Sequence, residues 1–122
     1  MASILRVNTI TDASSNNSTA VSTINKGSAK CVYSYLQASN TLENSTNVSS
    51  ITDQSVGVFL CAYSNAFSSD TANSVVSACD TGAGDRFSSC VTRTASNHGG
   101  RGFIGTSATD LQHGFAVFGD LA

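Results

Sequence analysis

From Gly27 onward, short runs of alternating apolar and polar residues are separated by polar or glycine-containing segments. Alternation with a period of two predicts β-strands, because successive side chains of a strand point to opposite faces. The predicted strands are Ala29–Gln37, Asn47–Thr52, Gly57–Tyr63, Ser74–Cys79, Arg86–Thr94, Gly102–Thr106 and Gly114–Phe118. Seven short strands at this spacing predict an all-β fold, namely an antiparallel β-sandwich that is jelly-roll-like.

The run VFLCAY (Val58–Tyr63) departs from simple alternation because it is apolar at every position. Both faces of this strand need an apolar cover, whereas one face of an antiparallel sheet is normally solvated. We expect a second sheet to cover one face and a neighbouring subunit to cover the other. The residues assigned to the subunit contact are Phe59, Cys61 and Tyr63.

Two glycine-containing segments predict loops, DTGAGDR (Asp80–Arg86) and SNHGGRG (Ser96–Gly102). Loops on a rigid scaffold commonly carry recognition. The predicted contact residues are Asp85, Arg86, Asn97, His98 and Arg101, and the alternative that these segments are plain turns stays open. The overlapping GGRGFIG lacks the Lys-Ser/Thr ending and the helix of a phosphate-binding loop, so we interpret it as a turn into a strand.

Residues 1–26 differ from the rest of the chain. An apolar patch is followed by the polar, low-complexity stretch DASSNNSTAVST, which has nothing to pack into a core. This segment predicts an N-terminal arm attached to another protein, and residues 27–122 predict a single domain. The apolar anchors of the arm are Ile4, Leu5, Val7 and Ile10.

Composition narrows the classes of function. The chain has 122 residues and a formal net charge of −2, with only 11% charged residues and no Lys/Arg cluster. Nucleic acid binding needs a concentrated basic surface, so we exclude it. No apolar run is long enough for a membrane span or a secretory signal peptide, and we expect the protein to be made and used without export.

The four cysteines and two histidines offer little catalytic or metal chemistry. Each cysteine lies in a strand-like run and there is no C-x-x-C pair, so buried free thiols are favoured over zinc. Two alternatives remain: a Cys79–Cys90 disulfide across a hairpin, and an ion held jointly by His98 and the His98 residues of symmetry-related subunits. No G-x-S-x-G motif or suitable carboxylate pair is present, and we expect neither enzymatic activity nor a cofactor.

Three pieces of the chain carry a family resemblance: the opening SILRVNTITDASSNN, then GSAKCVYSYLQ, and then NVSSITD with the downstream AFSSDTANSVVSA. In this order they resemble short tail-fibre-type proteins of marine and cyanobacterial bacteriophages. Cys31 and Val32 stand where the family pattern has a small residue and Trp, and the last third of the chain shows only a strand pattern.

The resemblance implies a homotrimeric virion protein, assembled in the host cytoplasm, with an N-terminal attachment arm and a C-terminal β-knob. The implied function is that of a short tail fibre or fibre tip that contacts a glycan or protein of the host surface without catalysis. The alternatives are a trimeric decoration or head-fibre protein of the capsid, and a carbohydrate-binding module unrelated to virions.

Overall fold

The computed structural model describes residues 8–11, 18–20, 24, 27–79 and 84–122. Strands account for most of this part of the chain, which also contains a 3₁₀ turn at Gln37–Ser39. The strands are β1 (Thr9–Thr11), β2 (Ser18–Ala20), β3 (Ala29–Leu36), β4 (Thr41–Thr46), β5 (Val48–Ser55), β6 (Val58–Tyr63), β7 (Asn73–Cys79), β8 (Arg86–Arg93), β9 (Asn97–Ile104), β10 (Ser107–Ala108) and β11 (Gln112–Gly119).

The strands from β3 onward form two antiparallel sheets. The front sheet has the order β4-β3-β11-β7, and the back sheet has the order β5-β6-β9-β8, with β10 also pairing with the end of β9. The predicted all-β class is therefore confirmed. Four pairs of consecutive strands, β3/β4, β5/β6, β8/β9 and β9/β10, are neighbours in one sheet, whereas successive strands of a jelly roll mostly pass from one sheet to the other.

Aromatic side chains from the inner faces of the two sheets form the core. Tyr33 on β3 stacks on Phe115 of β11, with ring centroids 5.3 Å apart, and meets Phe59 of β6 edge-on at 6.4 Å. Tyr35 also contacts Phe59, at 5.0 Å. Two sheets that share one aromatic core in this way pack face to face as a sandwich.

The prediction that Phe59, Cys61 and Tyr63 of β6 contact a neighbouring subunit is wrong. Phe59, Cys61 and Tyr63 are the inward-facing residues of β6 and are almost fully buried within their own chain. Val58, Leu60 and Ala62, on the opposite face, are the half-buried ones. The large aromatic side chains are needed to fill the space between the sheets. The face of β6 with the aliphatic side chains therefore lies outside.

The predicted loop Ser96–Gly102 is also wrong, because residues 97–104 form β9, which pairs with β6 and β8 on its two sides. The glycines of β9 make room for side chains rather than turns. A Cβ atom at Gly100 would overlap the Phe59 ring, and one at Gly102 would lie 2.7 Å from Cε1 of His113. Glycine within a strand often marks such a close approach.

Strand β4, and the separation of β7 from β8, also differ from the sequence-based predictions. The segment TLENST was not predicted as a strand because it is polar except for Leu42, yet it forms edge strand β4 after Asn40, which adopts a left-handed conformation with φ 51°. The hairpin that the alternative Cys79–Cys90 disulfide required does not form, because β7 belongs to the front sheet and β8 to the back sheet. Both thiols are free.

Little of the predicted arm falls within the described residues. Strands β1 and β2 pair with each other as a two-stranded antiparallel ribbon, and Ile10 in β1 is exposed. The other proposed anchors, Ile4, Leu5 and Val7, lie outside the described residues.

Candidate functional site

The outer face of the back sheet carries a group of side chains around Arg101, which we call the Arg101 patch. The guanidinium carbon of Arg101 lies 4.7 Å from the centroid of the Phe103 ring. Phe103 in turn stacks on Phe87, its cross-strand partner on β8, at 4.9 Å and an interplanar angle of 20°. Val58 and Ser89 lie opposite Arg101 on the two neighbouring strands and complete the patch.

Arg101 is exposed, and within the described residues its side chain interacts with the Phe103 ring. A guanidinium group can donate up to five hydrogen bonds, in a planar fork that matches a carboxylate or a phosphate. The aromatic contact holds the side chain against the sheet while its donors stay available. The patch is therefore suited to an anionic group lying beside apolar surface.

The structure does not bring the five predicted contact residues together. Asn97 lies on the same strand as Arg101 but four residues away, about 13 Å along an extended chain. Asp85 is exposed just before β8, whereas Arg86 pairs with Ile104 and is half-buried. His98 faces inward and is completely buried. Only Arg101 and Asp85 of this set offer exposed charge.

His98 is instead the centre of a buried hydrogen-bond network. Its Nε2 lies 2.7 Å from the Tyr33 hydroxyl, and its Nδ1 lies 2.9 Å from the Tyr63 hydroxyl. Both ring nitrogens are therefore satisfied while the imidazole is neutral. Burial lowers the pKa of His98 from 6.5 to about 4, because a charged imidazolium is poorly solvated in the core. This arrangement excludes His98 from surface binding and from an ion site on a symmetry axis.

The second histidine, His113, lies in a similar but separate network. Its Nδ1 is 3.0 Å from Ser88 Oγ, and its Nε2 is 3.3 Å from Oε1 of the buried Gln37. The Gln37 amide nitrogen donates to Asp53 Oδ1 at 2.9 Å and to the carbonyl of Ser55 at 3.1 Å. These bonds tie both sheets together at one end of the sandwich, so their role is structural.

The outer face of the front sheet has a different character. Val32, Ala116 and Val76 lie side by side on three neighbouring strands. Val32 and Val76 are exposed, at 45% and 58% of their surface. We call these three residues the valine row. Thr46 of β4 lies beside Val32 at the end of the valine row. None of these four neighbouring side chains is charged.

Beside the valine row lies a shallow hollow at Gly114, where a Cβ atom would meet nothing within 4 Å. The rim is polar: Glu43 Oε2 accepts hydrogen bonds from Ser34 Oγ at 3.0 Å and from Gln112 Nε2 at 2.8 Å. The donors and acceptors of this rim already satisfy one another. The hollow is therefore a weaker binding candidate than the Arg101 patch.

Within residues 8–11, 18–20, 24, 27–79 and 84–122, no three His, Cys, Asp or Glu side chains form a metal-binding group. The same part of the chain contains no helix that is long and apolar enough to cross a membrane. Comparison with protein-family models, with curated proteins and with solved structures found no match.

Sequence reasoning missed Phe87 and Phe103 as parts of a surface site. Both were placed in predicted strands and were treated as ordinary strand residues. The available signal was strand alternation: Arg101 and Phe103 are two residues apart, which places them on one face. That signal was hidden because the glycines at positions 99, 100 and 102 favoured a loop.

Proposed function

We propose that this protein is a structural protein of a bacteriophage virion, a short tail fibre or fibre tip that contacts the host surface. The family resemblance and the all-β fold support this proposal. In it, three copies form a homotrimeric knob, residues 1–26 attach the knob to other virion proteins, and no step is catalytic. The protein reaches its place by assembly into the virion in the host cytoplasm.

The single observation that carries the proposal is the valine row. The core of the chain is complete without Val32, Ala116 and Val76, yet these apolar residues lie adjacent on the outer face of the front sheet. Contiguous apolar surface on a soluble domain commonly marks an interface. A trimer that packs through the valine row would bury it, and would supply apolar contacts additional to those of the small core.

The Arg101 patch is the proposed host contact. It lies on the outer face of the back sheet, so a trimer built through the front sheet leaves it accessible. An anionic group of a surface glycan or protein would accept hydrogen bonds from Arg101 and lie against Phe87 and Phe103. Three copies on one fibre would multiply a modest affinity by about 10²–10⁴ where the spacing of receptors allows.

The test is the location of the protein in an intact particle, together with competition for the host. Gold-labelled antibody against the knob should mark the tail, and an excess of purified protein should reduce adsorption of the phage to its host. Deleting residues 1–26 should leave a soluble trimer that competes for the host but no longer incorporates into particles. Label confined to the head, with no effect of the purified protein on adsorption, would contradict a tail-fibre role.

Label confined to the head would favour the alternative, a trimeric decoration or head-fibre protein of the capsid. One observation supports this alternative: the first strand of the sandwich, β3, begins at Ala29, only two residues after the proposed arm. The segment between arm and knob is too short to form a shaft. A knob so close to its attachment point would lie against the particle surface, where it would stabilise the shell.

A further inference from the structure

Cys31 and Cys61 lie on opposite sheets and on the inner face of each. Cys31 is on β3 of the front sheet beside Val117, and Cys61 is on β6 of the back sheet beside His98. Both cysteines are completely buried and belong to the same core cluster. The two side chains therefore occupy one layer between the sheets.

The hydrogen bonds of His98 fix how the two strands face each other. Tyr33 lies two residues from Cys31 and reaches across the core to His98, the cross-strand neighbour of Cys61. Tyr63, two residues from Cys61, holds the other nitrogen of the same imidazole. The segments that carry the two thiols are thus held together by bonds on both sides of His98.

The two buried thiols are close enough for each to influence the ionisation of the other. The interaction with Cys61 lowers the pKa of Cys31, against the effect of burial, and the interaction with Cys31 raises the pKa of Cys61. In the folded core, Cys31 is therefore the thiol of the pair that more readily loses its proton.

We propose that Cys31 and Cys61 are the site of an inter-sheet disulfide that forms when the chain folds in an oxidising medium. A bond of this kind joins the two sheets of immunoglobulin domains, so the architecture of a sandwich accommodates it. The inference stands on the core geometry and is independent of the proposed function.

The reaction needs an external oxidant, for which we name a small disulfide such as oxidised glutathione. In the folding chain either thiolate can attack first; where Cys31 does, it attacks one glutathione sulfur, breaks its disulfide bond and releases one glutathione thiolate. The Cys61 thiolate then attacks the Cys31 sulfur of this mixed disulfide and releases the second. Two protein thiols are oxidised, one glutathione disulfide is reduced to two thiols, and the two protons pass to the released glutathione. Because the closed core excludes glutathione, the exchange takes place while the chain folds.

The other two cysteines provide a built-in comparison. Cys79 and Cys90 are half-exposed and lie on strands of different sheets, opposite His113 and Gly100. Their replacement by serine, in a Cys79→Ser, Cys90→Ser variant, leaves Cys31 and Cys61 as the only thiols. A third change, Cys31→Ala, in the same background removes the pair and keeps one buried thiol as the matched control.

The experiment refolds both variants from urea with oxidised and reduced glutathione, and then with reductant alone. In the two-thiol variant, oxidative refolding should leave no thiol that an alkylating reagent can modify after denaturation, and the intact mass should fall by two hydrogens. Its Tm should exceed that of the reduced form by about 10 °C or more. The Cys31→Ala control should show one reactive thiol and no intramolecular bond. Its Tm should not depend on the redox buffer.

Three results would overturn the proposal: a folded two-thiol variant that keeps both thiols, a product that stops as a glutathione adduct, or a disulfide form that melts below the reduced form. The unmodified chain provides a second readout that does not depend on the serine substitutions. After oxidative refolding and digestion, mass spectrometry should find the Cys31 and Cys61 peptides linked, and any other linkage as the main product counts against the pair.

Discussion

Phe59 and Gly100 lie directly opposite each other on β6 and β9, and the Phe59 ring occupies the space that a side chain at position 100 would need. This relationship explains why a glycine stands in the middle of a central strand. It also makes the core sensitive to the addition of a single methyl group, because a well-packed interior has no room to shift it.

We expect Gly100→Ala to lower the free energy of unfolding by about 1–3 kcal/mol, since it forces the Phe59 ring out of its place. Gly114→Ala is the matched control, because Gly114 also lies within a strand but its missing Cβ would meet nothing within 4 Å. The control should be neutral, or more stable by about 0.5–1 kcal/mol. Urea unfolding of both variants measures the difference. Equal losses would show that Phe59 does not depend on this glycine.

The His98 network should make the fold sensitive to acid. The pKa of His98 is 6.5 in the unfolded chain and about 4 in the folded one, so its contribution is fully present above pH 6.5 and is lost as the pH falls towards 4. The shift corresponds to about 3 kcal/mol in unfolding free energy. Urea unfolding at pH 7.5, 5.5 and 4.5 should show this decline.

The control for this measurement is His98→Gln, which keeps a donor and an acceptor for the tyrosine hydroxyls but does not titrate in this range. This variant should be less stable than the original chain at pH 7.5, and its stability should depend less on pH between 6.5 and 4. An unchanged pH profile would assign the acid sensitivity to other groups.

The valine row predicts how the protein assembles. At micromolar concentration, sedimentation should give three times the mass of the chain, and Val76→Asp should shift the protein towards monomers because it places a charge in an apolar contact. The control is Val56→Asp, since Val56 is equally exposed, at 62%, but lies in the turn between β5 and β6. A monomer in the unsubstituted protein, or an equal effect of both substitutions, would rule out this interface.

The Arg101 patch predicts where host contact is lost. Arg101→Ala should reduce adsorption about tenfold or more, the effect of losing one charge-assisted hydrogen bond per copy. Its stability should stay within about 0.5 kcal/mol of the original. Arg93→Ala, which removes an exposed cation from β8, should adsorb normally. If both variants adsorb equally, the patch has no part in attachment.

Strand alternation was sufficient to predict much of the front sheet. Cys31, Tyr33 and Tyr35 alternate with polar or smaller residues, and this segment forms β3 with those three side chains inside. The strand positions also agree for β6 and β11. These segments satisfied two requirements at once, local β-propensity and an apolar stripe, so tertiary contacts had nothing to override.

Pairing across the core was not visible in the sequence. Gly100 and Gly102 in β9 are explained by the bulk of Phe59 and His113, which come from other strands. The proximity of Cys31 to Cys61 depends in the same way on how two sheets stack, whereas sequence spacing directed attention to Cys79 and Cys90. Local pattern predicts which residues alternate, but the relative position of the sheets decides which face becomes the surface.

The burial of all three tyrosines gives the protein an intrinsic optical signal for folding. The chain contains no tryptophan, and Tyr33, Tyr35 and Tyr63 all lie in the core. Burial raises the pKa of each phenol above 10, because a phenolate would be poorly solvated between the sheets. During an alkaline titration, the phenolate absorbance of Tyr33 and Tyr63 should therefore appear only when the sandwich opens. One spectrum reports the opening of the whole core, and it needs no added dye or label.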